Sequence, residues 1–367
     1  MTPIDEAEEA AVFFQAAFVR MGVATIAEAL ALWQRVNPAK IESTASAWLE
    51  DAIEMISSRR GQSRELAIAY YRLVRALRTG TTLVDPRDPE PTYVTMKQLR
   101  EEFAQLVNET LPAPTDPPSP PETNGGESNE KKTPDADDPI VKRYEPRPER
   151  GDDKIRLEAL KEIAKLEADL AKRESAAREE ARLVLEALGT ENLKRKASLT
   201  GLDELSALRA DEIREKAHAQ AAARQAAAAE RLVLNGARGE LFQYAAADRR
   251  AIGFVRLSRT GTPCGWCAML ISRGIAYFSR ASASVTAEGD QYHDNCHCYA
   301  EPIFSDENFR DSDMYALNRE YSEEWPKVTK GKYGKAAISA WRRHIRIQQR
   351  NARSEARTPE TAQEASR

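Results

Sequence analysis

Cysteine and histidine are both scarce in this sequence, with only four of each among 367 residues. All four cysteines and two of the histidines lie in a single window, residues 264–298. The first residues of the chain are acidic, for example Asp5, Glu6 and Glu9, whereas the start of a secretory signal peptide is basic. We therefore expect a protein of a reducing compartment, in which thiols stay reduced and are free to bind a metal.

Aromatic residues and long apolar runs are also few. Aromatics make up 7% of the chain, charged residues make up 31%, and no apolar run approaches the roughly 18 residues of a membrane span. This composition argues against one large globular domain and favours extended helices joined to smaller packed units. We expect a soluble protein without a membrane segment. The net charge of −4 identifies no partner, because the charge is unevenly spread.

The sequence predicts a mainly α fold with one small α+β module that is stabilised by a bound zinc ion. Ten of the 19 prolines fall between positions 112 and 148, which predicts a disordered linker there, with an ordered irregular connection as the alternative. The predicted parts are a helical N-terminal bundle (1–111), the Pro-rich linker (112–151), long helices (152–234), the Cys/His module (235–310), C-terminal helices with a basic arm (311–357) and a disordered tail (358–367).

Turn signals and alternating patterns place the predicted boundaries within these parts. We expect helices to end at Asn37-Pro38, Gly80, Gly189 and Asn235-Gly236. Strands are predicted at 252–258 and 299–304, on either side of the cysteine window.

The cysteines form two groups, Cys264-Gly-Trp-Cys267 and, 25 residues later, His293-Asp-Asn-Cys296-His297-Cys298. Thiolates and imidazole at such spacing are typical of a tetrahedral zinc site. On an extended segment Cys296 and Cys298 share one face and His297 points the other way, so His297 is the least suitable ligand. We predict a structural zinc site formed by Cys264, Cys267 and two of His293, Cys296 and Cys298.

Three other interpretations of the cysteine window remain open. The first is a disulfide pair, and the second is a thioredoxin-like redox motif at Cys264-Gly-Trp-Cys267, which would need a following βαβ unit that the sequence does not predict. The third is a nucleophilic cysteine paired with a histidine, although nothing distinguishes one of the four clustered cysteines as the nucleophile.

The C-terminal arm is strongly basic. Between positions 327 and 357 ten lysines or arginines stand against one acidic residue, Glu355. Such an arm is expected to contact DNA or an acidic protein surface; the alternative is a solvated helix end.

Several residues around the cysteines resemble a known family. Ser258-Arg-Thr260, the Cys-x-x-Cys, Gly274 and the His-x-x-Cys-x-Cys group are similar to the Mu F-like phage head morphogenesis proteins, a likeness that spans roughly 240–305. The helical stretch Ser63–Arg72 is similar to a group of actinobacteriophage capsid proteins that are often described as capsid maturation proteases. Ser258 stands where many relatives carry Asp, and His297 where Arg is common.

The resemblance implies a minor capsid protein that acts near the portal during head assembly in the host cytoplasm and ends in the virion. It implies the portal protein, the major capsid protein or a scaffold as partners. It also raises the alternative of a capsid maturation protease. For a serine protease His218 and His344 are the only other histidines, and neither lies near an elbow motif, so we expect a protein that is not an enzyme.

Overall fold

The structure is a computed structural model that describes residues 3–83, 93–110, 140–143, 152–198, 209–258, 263–277 and 292–364. Its contacts divide the chain into two compact units, Met1–Ala237 and Arg238–Arg367. The described residues are mostly helical, and the prediction of a mainly α fold with a small α+β module is confirmed.

The first unit is built from long helices and one small sheet. Its helices are α1 (Pro3–Trp33), α2 (Ile41–Thr79), α3 (Met96–Glu109), α4 (Asp152–Leu185), α5 (Glu191–Ala197) and α6 (Ala210–Ala247), of which α6 continues into the second unit. Its strands are β1 (Thr81–Thr82), β2 (Tyr93–Thr95) and β3 (Ile140–Arg143), in the order β1-β3-β2.

Aromatic contacts hold the helices of this unit together. Phe14 of α1 stacks on Tyr70 of α2 with ring centroids 4.4 Å apart, and Trp33 meets Trp48 edge-on at 4.6 Å. The predicted end of a helix at Gly80 is confirmed: this residue has a left-handed φ of 70°, and its N–H donates to the carbonyl of Ala76.

Two predicted helix ends are wrong, and in both cases tertiary packing explains the error. Gly189 lies inside a π-helical turn (Glu186–Thr190) that joins α4 to α5. A Cβ on this glycine would lie 2.9 Å from the rings of both Trp33 and Trp48, so the glycine permits close packing and does not end the helix. Asn235-Gly236 likewise lies within α6, where Gly236 faces the backbone of Arg60.

Secondary structure extends into parts of the predicted linker and tail. Ile140–Arg143 forms β3 within the linker range and pairs with β1 and β2. The last helix of the second unit extends to Glu364, beyond the predicted start of the tail at residue 358. The rest of the linker, and Arg259-Thr260 of the family motif, lie outside the described residues.

One helix reaches the length and hydropathy of a membrane span, contrary to the expectation from sequence. The stretch Glu6–Trp33 of α1 passes that test on length and composition, and half of its most apolar window is buried. Phe14 and Phe18 in this stretch are fully buried within the first unit. A core helix satisfies the same test, so the finding is weak evidence for a membrane segment.

The second unit combines a three-stranded antiparallel sheet with helices. Its strands are β4 (Gly253–Leu257), β5 (Ala276–Tyr277) and β6 (Tyr299–Ile303), in the order β5-β4-β6. Its helices are α7 (Gly265–Ile271), α8 (Asp306–Asp311), α9 (Ala316–Val328) and α10 (Gly334–Glu364), with a 3-10 turn at Asp313–Tyr315. The two strands predicted beside the cysteines are β4 and β6.

Helices α9 and α10 complete the core of the second unit. Trp341 of α10 is fully buried against Tyr321 of α9 and Ile271 of α7. The Cys/His stretch itself contributes few aliphatic residues, so these two helices supply the apolar surface that it lacks.

Candidate metal centre

The first pair of cysteines lies at the start of α7. Cys264 is the N-cap residue of this helix, with extended backbone angles, and its Sγ accepts a hydrogen bond of 3.4 Å from the N–H of Cys267. Cys267 follows in the first turn of the helix and is buried. The two-residue spacing therefore turns both sulfur atoms toward the same point.

The second group lies on the turn that leads into β6. Asn295 has a φ of 60°, a left-handed conformation that asparagine tolerates better than most residues. This turn brings His293 and Cys296 toward the same side, and Cys298 lies directly before Tyr299, the first residue of β6.

The structure brings five donor side chains together. The Sγ atom of Cys267 lies 3.4 Å from that of Cys296 and 3.3 Å from that of Cys298, and the last two are 3.0 Å apart. The Nε2 atom of His293 lies 2.8 Å from the Sγ of Cys264 and 3.7 Å from that of Cys267. Cys267 thus belongs to both groups of donors.

These distances fit a metal bound by sulfur and imidazole. With Zn–S bonds of about 2.3 Å, tetrahedral zinc holds two sulfur ligands roughly 3.8 Å apart. The three buried thiols lie 3.0–3.4 Å apart, so shifts of a few tenths of an ångström would accommodate the ion. The donor set could therefore hold a metal ion.

The other three histidines are not part of this cluster of donors. His297 belongs to neither group of donors. The Nε2 of His344 lies 3.1 Å from a carboxylate oxygen of Glu324, and the ring of His218 stacks on Trp33. In the described part of the chain His293 is thus the one histidine in the cluster.

Hydrogen bonds between the donors lower the pKa values of two thiols, Cys264 and Cys298, and raise that of Cys267, and the pKa of Cys296 is raised as well. The pKa of Cys264 falls to about 4, chiefly because of its hydrogen bond with Cys267 and also because of that with His293. Burial opposes this fall but does not cancel it. The hydrogen bonds from Cys267 and Cys296 hold the pKa of Cys298 well below its ordinary value. The bond with Cys264 raises the pKa of His293 to about 9. Anionic sulfur is the form that binds metals.

Two arginines place positive charge beside the thiols. The guanidinium of Arg238 donates to the carbonyl of Cys298 at 3.1 Å and also to the carbonyl of Cys296. Arg238 and Arg256 lie on the Tyr292 ring, with their guanidinium carbons 3.9 and 4.0 Å from its centroid. Burial raises the pKa of Tyr292 to about 12, although the two arginines oppose that rise, so the phenol stays neutral.

The neighbouring thiols in turn change the pKa of Arg256. Burial would lower the pKa of this guanidinium, but Tyr292 and the sulfurs of Cys298 and Cys296 raise it above its ordinary value. A set of three or four thiolates carries more negative charge than one divalent ion neutralises, and the arginines offset the excess.

The sequence indicates the candidate donors, but it does not indicate the two arginines, Arg238 and Arg256, that surround them with positive charge. Arg238 lies in α6, and Arg256 lies on the face of β4 opposite Val255, where a charged residue is ordinary. The one signal in the sequence was indirect: a thiol-rich site needs compensating positive charge. Nothing local indicates which of the 54 basic residues supply it.

Comparison with models of known protein families gives a match. A family model described as VG15 protein matches residues 206–324, which is less than half of the chain and includes the whole candidate metal centre. VG15 is a family of phage proteins, and the match supports a phage protein. The Mu F-like likeness has no separate support from this match. No curated protein and no solved structure matches the chain.

Proposed function

We propose that the protein is a minor capsid protein of the Mu F-like type that acts in phage head morphogenesis and carries a structural zinc site. The observation that carries the proposal is the convergence of five Cys and His donors within the segment that the phage family model matches. The buried thiols of Cys267, Cys296 and Cys298 supply three ligands. Cys264 and His293 lie 2.8 Å apart in a second group that shares Cys267, and one of them would supply the fourth ligand.

The chemistry of the donors favours a structural ion over a catalytic one. A catalytic zinc keeps a position open for water, whereas here five candidate donors in two overlapping groups are available for the four positions of a tetrahedral ion. When bound, zinc would tie α7 to the turn before β6, and Arg238 would fix the backbone carbonyls of that turn. A small module that is short of aliphatic core gains folding free energy from such an ion.

The partners and the location follow from the same proposal. The helices of the first unit offer surfaces for the portal protein, the major capsid protein or a scaffold, and the protein would enter the phage head during assembly in the host cytoplasm.

A capsid maturation protease is the second candidate, and one observation favours it. Cys264 and His293 form a close pair in which the pKa of the thiol is lowered and that of the imidazole is raised. Such pairing also activates cysteine nucleophiles. The three further thiols behind this pair favour the metal site, because a cysteine protease has no need of them.

Complementation of a phage that lacks this gene tests the proposal. We expect the wild type and His297→Ala to restore filled heads in electron micrographs, and Cys267→Ser to reduce them at least tenfold, because Cys267 belongs to both groups of donors. Normal head yield without the gene would contradict an assembly role.

The mass of the major capsid protein in the same particles separates the two candidates. An assembly protein leaves that mass unchanged in Cys267→Ser and Cys264→Ser particles. Uncleaved capsid protein in Cys264→Ser particles, together with undiminished metal content of that variant, would establish the protease instead.

A further inference from the structure

A basic cleft lies beside the candidate metal centre in the second unit. It has a volume of about 660 Å³, and its lining includes Trp266 of α7 and Arg342, Arg346 and Gln349 of α10. A second hollow of about 470 Å³ shares Arg346 and Gln349 with the first. We call this surface the arginine cleft and define it by Trp266, Arg342, Arg343, Arg346, Gln349 and Arg350.

The positive charge of the arginine cleft is available to a ligand. All four of its arginines are exposed, and within the described residues none of them forms an ion pair. No carboxylate is among the described residues that line either hollow. Exposed and unneutralised guanidinium groups at such density favour an anionic ligand.

The spacing of the arginines favours a ligand with repeated charges. Arg342, Arg346 and Arg350 follow one another at intervals of four residues, which places them on one face of α10 at steps of about 6 Å. The phosphates of one nucleic-acid strand recur at a separation of the same order, and a guanidinium can bind each phosphate through two hydrogen bonds.

An aromatic ring beside this row of charge distinguishes nucleic acid from an acidic protein. The guanidinium carbon of Arg342 lies 5.8 Å from the centroid of the Trp266 ring, and both residues line the cleft. Bases of a single strand stack on such rings, whereas the carboxylates of an acidic peptide would bind the arginines alone and make no stacking contact with the ring. In a duplex the bases are already stacked on each other, so a single strand fits better.

The cleft is tied to the metal-binding loop. Gln349 donates a hydrogen bond of 3.0 Å to the carbonyl of Pro263, next to Cys264. A Cβ on Gly265 would lie 3.1 Å from the Cα of Arg342, so α7 and α10 approach closely at this point. The same loop that presents the first thiols therefore holds Trp266 next to the arginine row.

We propose that the arginine cleft binds a single strand of nucleic acid. Its phosphates lie on Arg342, Arg346 and Arg350, and a base stacks on the exposed part of Trp266. Cys264 and His293 of the candidate metal centre also line this cleft. The proposal is nevertheless independent of the head-assembly role, since it rests on Trp266 and the arginines, none of which is a metal donor.

Fluorescence anisotropy with the full-length protein and a labelled oligo(dT) of 20 nucleotides tests the proposal. For the double variant Arg342→Ala/Arg346→Ala we expect binding weakened at least tenfold and a slope of log K against log salt that is smaller by about 1.4, because two phosphate contacts are lost. The matched control is Arg249→Ala/Arg250→Ala, which removes the same charge from two exposed arginines outside the cleft and leaves the affinity within twofold.

A second set of variants tests the stacking contact. Trp266→Leu keeps an apolar side chain against the core and should weaken oligo(dT) binding about tenfold, while Trp266→Phe retains a ring and most of the affinity. Equal losses in the two arginine pairs would overturn the proposal, as would unchanged binding by Trp266→Leu. Competition by polyglutamate as effective as that by oligo(dT) would show an acidic protein surface to be the ligand instead.

Discussion

Arg238, in the C-terminal part of α6, holds the backbone around the last two cysteines, Cys296 and Cys298. Its guanidinium binds the carbonyls of Cys296 and Cys298 and lies on the ring of Tyr292. The side chain is buried, so its charge acts on the thiols without screening by water. At the scale of single residues this arginine orients two candidate ligands, because it fixes the backbone from which both of them extend.

We predict that Arg238→Met weakens metal binding by about 10- to 100-fold, the usual effect of removing a group that supports ligands. Methionine keeps much of the buried volume but leaves two carbonyls without their donor. Competition with a chromophoric chelator measures the affinity, and Arg249→Met on the exposed surface is the control. Equal affinities of the two variants would show that Arg238 has no influence on the site.

The donors of the site could be predicted from the sequence, whereas their supporting residues could not. Short spacing such as that between Cys264 and Cys267 is a local signal, because the turn chemistry follows from adjacent residues. Arg238 and Arg256 reach the thiols through tertiary contacts across tens of residues, and no local pattern encodes those.

At the scale of elements, the crossing of α2 and α6 is likewise a tertiary contact that the sequence does not predict. Asn235-Gly236 is a turn signal, yet α6 continues through it. The Ser63 hydroxyl of α2 lies 2.7 Å from the carbonyl of Val233 and accepts a hydrogen bond from the N–H of Ala237. Gly236 is required because the two helices approach closely here, and that reason is invisible in the sequence of either helix. Helix α3, by contrast, begins at a local signal, because the side chain of its N-cap residue Thr95 accepts a hydrogen bond from the N–H of Gln98.

We predict that Gly236→Ala destabilises the protein by about 2–3 kcal/mol, since the added Cβ would lie 2.5 Å from the Ser63 hydroxyl and 2.7 Å from the backbone carbonyl of Arg60. A backbone oxygen cannot yield as a flexible side chain can. Gly239→Ala, three residues along the same helix, has open space around the new methyl group and should be neutral or stabilising. Chemical denaturation followed by circular dichroism measures both, and a loss of similar size in Gly239→Ala would refute the crossing as the cause.

At the scale of the whole molecule, the candidate metal centre brings together segments from both sides of residues 278–291. Cys264 and Cys298 lie on opposite sides of the segment 278–291, which is outside the described residues. The core around Trp341 secures α7 against α9 and α10, but the turn that carries Cys296 packs mainly through the thiols and Tyr292. The order of that turn should therefore depend on the ion, whereas the first unit contains none of the donors.

We predict about one zinc ion per chain by elemental analysis of protein purified under reducing conditions. Removal of the ion by a chelator should increase proteolytic cleavage in residues 263–277 and 292–303 at least tenfold and leave residues 3–83 protected, because ligand binding stabilises only the unit that binds. Cys267→Ser should show the chelated pattern without chelator, and His297→Ala should show that of the wild type. Mass spectrometry of the fragments locates each cut. Equal protection of residues 263–277 and 292–303 with and without chelator would mean that the contacts among the thiols, Arg238 and Tyr292 hold this unit without a metal.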